Sequence, residues 1–472
     1  MIVIPTLPRA PAAHVDAAKS ALDRALGPSK VITADAGCAP YARDDSAALG
    51  TTPDAVVIAT SREDVAKTLE IAARYGIPVT PRAGGSGRTG GAVPVAGGIV
   101  LATHALAQIK EIDRQNLIAV VEPGVVLAAL HAEVEALGLF YPPDPNSADL
   151  CMIGGNLGEN AGGPRAFKYG VTRDYVLGVE ACLMGGEIVR SGKRTAKGVT
   201  GYDITALLVG SEGTLGVFTE ATLRLVPKPR QVATMLALYA DVHAAGASVS
   251  NVVAAGLVPR CLELLDTQTL DAIRSAGNAI DARAGAMLLI EVDGDDAMAA
   301  CERLGEVVSR DAIDVVVAQD EAQRARLWSA RKALSYATRK LTKHKLSEDV
   351  VVPRTEIPTL LRRVEAIGER FAVRHLTYGH AGDGNLHVNF LWNEDEEAAA
   401  VSMAIEALMH ATIELGGTLS GEHGIGLAKA PYLAIEQSSA LIELQKRVKV
   451  AFDPKGLLNP GKIFPASGHR SC

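Results

Sequence analysis

A chain of 472 residues exceeds what one ordinary hydrophobic core organises, so two or more domains are expected. Hydrophobic residues make up 48%, charged residues 21%, and the net charge is −7 with no basic block, which suits a globular protein and argues against nucleic acid as its main partner. No uncharged apolar run reaches about 18 residues, so no membrane span is expected and only peripheral attachment stays open.

The six cysteines (Cys38, Cys151, Cys182, Cys261, Cys301 and Cys472) are scattered and form no CxxC pair. They read as reduced thiols, not as a disulfide framework, a thiolate metal site or an iron–sulfur centre. The N-terminus is broken by Pro5 and Pro8 and lacks the long apolar segment of a signal peptide. The expectation is a cytoplasmic protein, or one peripheral at the inner membrane face.

In chain order, residues 1–50 read as a helical lead-in, with apolar residues at helical spacing in VDAAKSALDRAL. DAVVIAT (Asp54 to Thr60) reads as a buried strand. SREDVAKTLEIAARYG follows as a helix, with Ser61 and Asp64 spaced as a capping box and Gly76 as its stop. IPVT is a second strand that runs into PRAGGSGRTGG, completing a strand–helix–strand unit with a phosphate-sized loop at its exit. Short strands and glycine-rich turns fill the stretch to about 225, and PKPR (Pro227 to Arg230) suits a hinge. Beyond it, alanine-rich helical stretches alternate with strands such as AMLLIEV and LHVNFLW, the texture of an α+β domain. The expected divisions are a lead-in (1–50), a first domain (51–229), a second (230–425), and a C-terminal helix and tail (426–472) that packs back on the first.

Three glycine-rich segments carry the first chemical signal. In PRAGGSGRTGG, Gly84, Gly85, Gly87, Gly90 and Gly91 let successive backbone N–H groups line one concavity, a nest for pyrophosphate oxygens. Taken alone, this loop is equally an ordinary turn, and it is neither GxxxxGK[ST] nor GxGxxG. A second segment, YPPDPNSADLCMIGGNLGENAGGPRAFKYGVT, and a third, VGSEGTLG, repeat the texture within 140 residues, as a long ligand such as a dinucleotide would require.

In this order and spacing the three segments resemble the FAD domain of the vanillyl-alcohol oxidase / p-cresol methylhydroxylase type. More narrowly, they are similar to the D-lactate, glycolate and D-2-hydroxyglutarate dehydrogenases. The resemblance runs from about residue 40 to the C-terminus. It implies an α+β fold: a two-part FAD-binding domain, a substrate domain with an antiparallel sheet, and a tail returning to the FAD domain. By the same resemblance, Pro81, Arg82, Ala83, Gly84, Gly85, Ser86, Gly87, Thr89 and Gly90 hold the pyrophosphate. Pro143, Gly154, Gly155, Asn156, Asn160, Ala161 and Gly162 lie against the flavin, Glu212, Gly213, Gly216 and Val217 meet the adenosine end, and Asn459 returns to the isoalloxazine region. Some relatives tether flavin to a histidine in the first loop. Here Ser86 stands in RAGGSGR, so dissociable FAD is expected.

TYGHAGDGNLHVNFLW carries the second signal. Gly382 to Gly384 mark a turn, after which alternation puts Leu386, Val388, Phe390 and Trp392 on one strand face and His387 and Asn389 on the other. His380 precedes the turn, so the reversal brings it toward His387. SGEHGIG presents Glu422 and His423 between glycines. Two imidazoles and a carboxylate suit a divalent zinc or manganese ion with positions left open. A lone histidine is usually a packing residue, but the joint pattern outweighs that. The resemblance implies that His380, His387 and Glu422 are ligands and His423 the base.

Oxidising a secondary alcohol requires loss of the hydroxyl proton together with hydride transfer, and the substrate carboxylate needs a cation. Arg331 occupies the family's arginine position, with Ser335 one helical turn on; an exposed charge on an amphipathic helix is the competing reading. Lys345 resembles a family lysine and, with Asn389, completes the expected substrate set.

The implied activity is FAD-dependent oxidation of a small D-2-hydroxy acid, with D-lactate first and glycolate or D-2-hydroxyglutarate competing. An ether-lipid synthase-like transferase and a non-catalytic flavoprotein are the remoter alternatives. With no second nucleotide fingerprint, electrons are expected to leave to an external quinone, cytochrome or electron-transfer flavoprotein. A homodimer is compatible with the sequence.

Overall fold

The computed structural model describes residues 5, 7–46, 48 and 50–464. Within the helix Glu321–Leu341, the side chains of residues 329–330, 332–333, 335–337 and 339–340 lie outside the described set. The chain forms two compact units. The first comprises Met1–Ala161, Val171–Lys228 and Glu422–Cys472; the second comprises Gly162–Gly170 and Pro229–Gly421. The expected boundaries at 229/230 and 425/426 thus stand beside breaks at 228/229 and 421/422, and the second unit also takes nine residues from the middle of the first.

The first unit holds two larger sheets and a two-stranded one that pairs Leu139–Phe140 with Val226–Pro227. One has four strands in the order Val31–Ile32, Ala55–Ile58, Ile99–Ala102, Val79–Arg82. The last three run parallel, and Ile99–Ala102 is inserted between the two strands that the sequence reads as consecutive. The connecting helix Arg62–Tyr75 begins at the expected capping box, in which Ser61 Oγ accepts from Asp64 N, and stops at Gly76 in the left-handed region at φ 68°. A cap of this kind stabilises a helix by about 1 kcal/mol. Val65, Leu69 and Ala72 recur at helical spacing on its inner face and join Val57, Leu101 and Val79 in a core cluster. The lead-in supplies the helix Ala12–Leu26 and also the short strand Val31–Ile32, which pairs antiparallel with Ala55–Ile58.

The second sheet is antiparallel, in the order Ile109–Asp113, Ile118–Val121, Val217–Arg224, Val176–Cys182, Ile188–Gly192. From the far end of the chain, Leu458 bridges the strand residue Val79, and Asn459 N donates to Val79 O at 2.7 Å. The returning tail thereby covers an edge that would otherwise present unpaired backbone groups.

The second unit is built on one seven-stranded antiparallel sheet: Asp314–Val317, Gln231–Tyr239, Ala286–Gly294, Cys261–Leu265, Arg374–His380, Asn385–Trp392, His344–Val351. Every residue of Asn385–Trp392 is buried, so both faces of this strand are covered and the apolar/polar alternation sorts two interiors, not interior from solvent. Leu265, Met287, Leu376, Tyr378 and Leu391 pack with Leu270, Ile273 and Leu334 of the helices Thr267–Ser275 and Glu321–Leu341. Among the described residues no helix is long and apolar enough to cross a membrane.

Candidate active site

In the first unit the glycine segments converge on backbone conformations that side chains rarely adopt. Asn160, Glu212 and Asn459 are three non-glycine residues with left-handed φ of 56°, 51° and 44°, and each falls in a segment read as cofactor-binding. Such conformations cost of order 1 kcal/mol or more each and persist where surrounding bonds enforce them. Asn459 Nδ2 donates to Gly91 O at 2.9 Å and to Glu212 O at 2.8 Å, tying the tail to two of the glycine loops.

Two observations fit a dinucleotide here. Gly155 lies in the helix Ile153–Glu159, and a Cβ placed there would meet open space, whereas one at neighbouring Gly154 would strike Pro123 Cβ at 2.7 Å. Gly154 is thus required for packing, while Gly155 leaves open space beside the helix. Ser211 Oγ and Asn459 Oδ1 are buried with no hydrogen-bond partner among the described residues, and both belong to the expected FAD segments. Buried polar groups are ordinarily satisfied, so orphans in these segments mark where a polar ligand belongs.

Several residues expected to touch the cofactor also have internal duties. Glu212 accepts from Ile425 N at 2.7 Å and Gly426 N at 2.6 Å, and so clamps the loop that carries Glu422 and His423. Thr89 Oγ1 donates to His423 O at 3.1 Å, and Thr89 O accepts from Leu427 N. Arg82 donates to Arg43 O at 2.6 Å, Ala161 O accepts from Thr172, and Pro143 O accepts from His131 Nε2. Gly216 and Val217 open the strand Val217–Arg224, and Val217 packs into the core, leaving only backbone for a ligand. Gly162 belongs to the second unit. Burial pushes the carboxyls of Glu159, Glu212 and Asp44 up, and Glu159 is raised further by Glu212. Burial also pushes fully buried Lys462 down to about 7, while its Nζ donates to Val93 O at 2.7 Å.

The second unit gathers charged side chains on one sheet face. Register sets Glu263 opposite His380, His380 opposite Asn385, and Tyr378 and Asp349 on either side of His387. The turn at Gly382–Gly384 brings the two histidine rings to 5.2 Å between centroids, edge to face, as the HAGDGNLH spacing predicts. Glu263 Oε1 meets His380 Nδ1 at 2.5 Å, and Glu263 Oε2 accepts from Arg331 Nε at 2.7 Å. Burial would push this carboxyl up, but the His380 ring and the Arg331 guanidinium beside it hold it at about 2. Around His387, Asp349 Oδ1 stands 3.9 Å from Nδ1 and accepts from Asn385 Nδ2, while Asp349 Oδ2 accepts from Ser420 Oγ and Gly421 N.

Arg331 is 7% exposed, which removes the reading of it as a surface charge. Its guanidinium lies over the Tyr378 ring, 5.0 Å from the centroid, and its Nη2 is buried with no partner among the described residues. Lys345 Nζ stands 3.3 Å from Thr338 Oγ1. Asn389 Nδ2 donates to Leu376 O and His387 O, so its remaining Oδ1 is an acceptor. The Ser335 side chain lies outside the described residues. Of the expected metal set, His380 and His387 belong to the second unit and Glu422 to the first, as does the expected base His423, whose Nε2 is 3.9 Å from Glu422 Oε1. Glu263 and Asp349 were not singled out from sequence. Their signal was present: Glu263 is the one carboxylate in the apolar strand CLELL, and Asp349 leads into the apolar run VVVP.

Residues 53–192 match the family profile described as FAD binding domain, and residues 228–463 match that of FAD linked oxidases, C-terminal domain. The chain belongs to the FAD-linked oxidase family. It is 42% identical over 453 residues to glycolate oxidase subunit GlcD of Bacillus subtilis (strain 168), covering 94% of this chain and 96% of that one. It is 35% identical to D-lactate dehydrogenase of Anaerostipes hadrus, covering 93% and 95%. Among solved structures, p-cresol methylhydroxylase with substrate bound superposes with a TM-score of 0.83 at 16% identity, covering 99% of this chain and all of that one, which shows the shared fold. The protein is therefore an FAD-dependent oxidoreductase of two-part FAD-binding architecture.

Proposed function

We propose that the protein oxidises a small D-2-hydroxy acid, D-lactate first and glycolate or D-2-hydroxyglutarate as competitors, to the 2-oxo acid. The observation that carries this reading is the buried Nη2 of Arg331, which has no partner among the described residues and belongs to a guanidinium that shares Glu263 with His380. A buried guanidinium N–H without an acceptor is costly, and a carboxylate answers it in both charge and shape. Relatives named for glycolate and D-lactate agree with that substrate class.

In this reading Arg331 binds the substrate carboxylate, helped by Lys345 and Ser335, and Asn389 Oδ1 accepts from the substrate. FAD, held without a covalent tether because Ser86 offers none, supplies the hydride acceptor when bound. His380, His387 and Glu422 would hold a divalent zinc or manganese ion, which when bound would supply a lower pKa to the substrate hydroxyl. His380 fits that role, since Glu263 engages its Nδ1 and leaves Nε2 as the coordinating nitrogen. His423 takes the hydroxyl proton, and Thr89 and Glu212 hold its loop in place. Reducing equivalents then pass to an external quinone, cytochrome or electron-transfer flavoprotein.

Anaerobic bleaching of the flavin against a panel of D- and L-2-hydroxy acids tests the substrate assignment. Bleaching by D-lactate, glycolate or D-2-hydroxyglutarate is expected, and bleaching by none of the panel would remove it. Chelator treatment should abolish turnover and leave the flavin spectrum intact, with zinc or manganese restoring activity. A fully active metal-free enzyme would take the metal out.

A further inference from the structure

We infer that Glu263 is a positioning residue that ties His380 to Arg331 through one carboxylate, so that metal capture and substrate-carboxylate capture depend on a single buried group. This rests on the roles proposed above for His380 and Arg331. The three side chains are 0%, 2% and 7% exposed, and each oxygen of Glu263 has its own partner: His380 Nδ1 on Oε1, Arg331 Nε on Oε2. The arrangement is fixed from two directions. Strand register places Glu263 directly across from His380, and the helix Glu321–Leu341 delivers Arg331 to the other oxygen.

The consequences are specific. A carboxylate on Nδ1 makes that nitrogen the proton-bearing one, so Nε2 carries the lone pair. A carboxylate on Nε fixes the plane of the guanidinium, which also rests over Tyr378, and leaves Nη2 to a ligand. The competing reading is a plain ion pair that fastens the helix to the sheet. The same helix already has such a fastening one turn earlier, where Trp328 Nε1 donates to Glu291 Oε1 at 3.0 Å. Glu263 differs in that its second oxygen is spent on a histidine of the site, not on scaffold.

The test is Glu263→Gln in the full-length, FAD-loaded protein, read in three ways. The KM for D-lactate should rise at least ~10-fold, since the guanidinium loses its anchor. Zinc affinity, measured by competition with a chromophoric chelator, should fall about 10–100-fold, the usual effect of losing a partner behind a ligand. In spectra of protein labelled with ¹⁵N-histidine, the His380 Nδ1–H signal should shift, a change that needs no metal. Wild-type values on all three readouts in a folded Glu263→Gln protein would overturn the inference. A wild type that binds no zinc, combined with a Glu263→Gln variant of raised KM and shifted His380 signal, would remove the metal and leave the bridge standing. Arg331→Lys gives an independent check if Glu263→Gln does not fold. Through a shared carboxylate it should also shift the His380 signal, and an unmoved His380 would overturn the coupling.

Discussion

The two units prepare for ligands in opposite ways. The first relies on backbone: left-handed Asn160, Glu212 and Asn459, the bare Gly155, and loops held together by Thr89 and Glu212. The second gathers its candidate site from side chains on regular strands of one sheet face, with Glu263 and Asp349 behind the two histidines. A backbone cradle needs side chains only where they hold its loops, and it fails when bulk is added. A side-chain constellation tolerates bulk elsewhere and fails when one functional atom changes. The two kinds of site should therefore break under different substitutions.

The largest effect is expected at His423. His423→Ala should retain FAD and lose roughly 10²–10⁴-fold in the rate of flavin reduction, the usual contribution of a general base. Stopped-flow reduction by D-lactate measures it, and a loss under tenfold would assign the proton to another group. Next comes Arg331→Ala, which should cost about 2–4 kcal/mol of kcat/KM with unchanged flavin content, since a charged hydrogen-bonding partner is lost from the second unit alone. Steady-state kinetics and flavin absorbance decide it; loss of flavin would blur the division between the units.

Gly155→Val sharpens the other side of the comparison. Added bulk in the cradle should weaken FAD binding about tenfold or more, or about 1.4 kcal/mol, without touching a side-chain function. Titration of apoprotein with FAD reads this directly, and wild-type affinity would place the cofactor elsewhere. The last expectation concerns Lys462. Its folded pKa, pushed down by burial to about 7, lies below that of the unfolded chain, so the unfolded state binds more protons between about 7 and 10.5. Stability contributed by this group therefore rises with pH across that window, by at most about 1.4 kcal/mol per pH unit. Lys462→Met should flatten that part of the denaturation profile of the apoprotein, and an unchanged slope would show that Lys462 is not the titrating group.

Legibility in the sequence followed the same division. The capping box of Ser61 and Asp64, the alternation in LHVNFLW and the turn between His380 and His387 are local, and each appears in the structure. What the sequence did not show depends on register and return paths. Nothing local reveals that Ile99–Ala102 inserts between two consecutive-looking strands, or that Gly162–Gly170 joins the second unit. The lone carboxylate in CLELL marks Glu263 as unusual, but its partner His380, 117 residues away, is revealed only by strand pairing. Likewise Glu212, expected among the cofactor contacts, also grips a loop 213 residues downstream. Chemistry read from residue types travels well; chemistry created by pairing needs the fold.

The return of the tail to Val79 also constrains how the protein is made. The strand Val79–Arg82 leaves the ribosome early, yet its neighbour Leu458 is synthesised near the end. Between the end of the first unit's middle segment at Lys228 and Leu458 lie residues whose translation takes roughly 10–50 s at ~5–20 residues per second. During that interval the first unit lacks its closing segment, and the second, begun at Gly162, is complete only at Gly421. Neither unit is therefore complete in sequence before residue 421 has been made. Each unit is completed by a segment that the other interrupts, and until the tail arrives the edge of Val79–Arg82 lacks its bridge to Leu458.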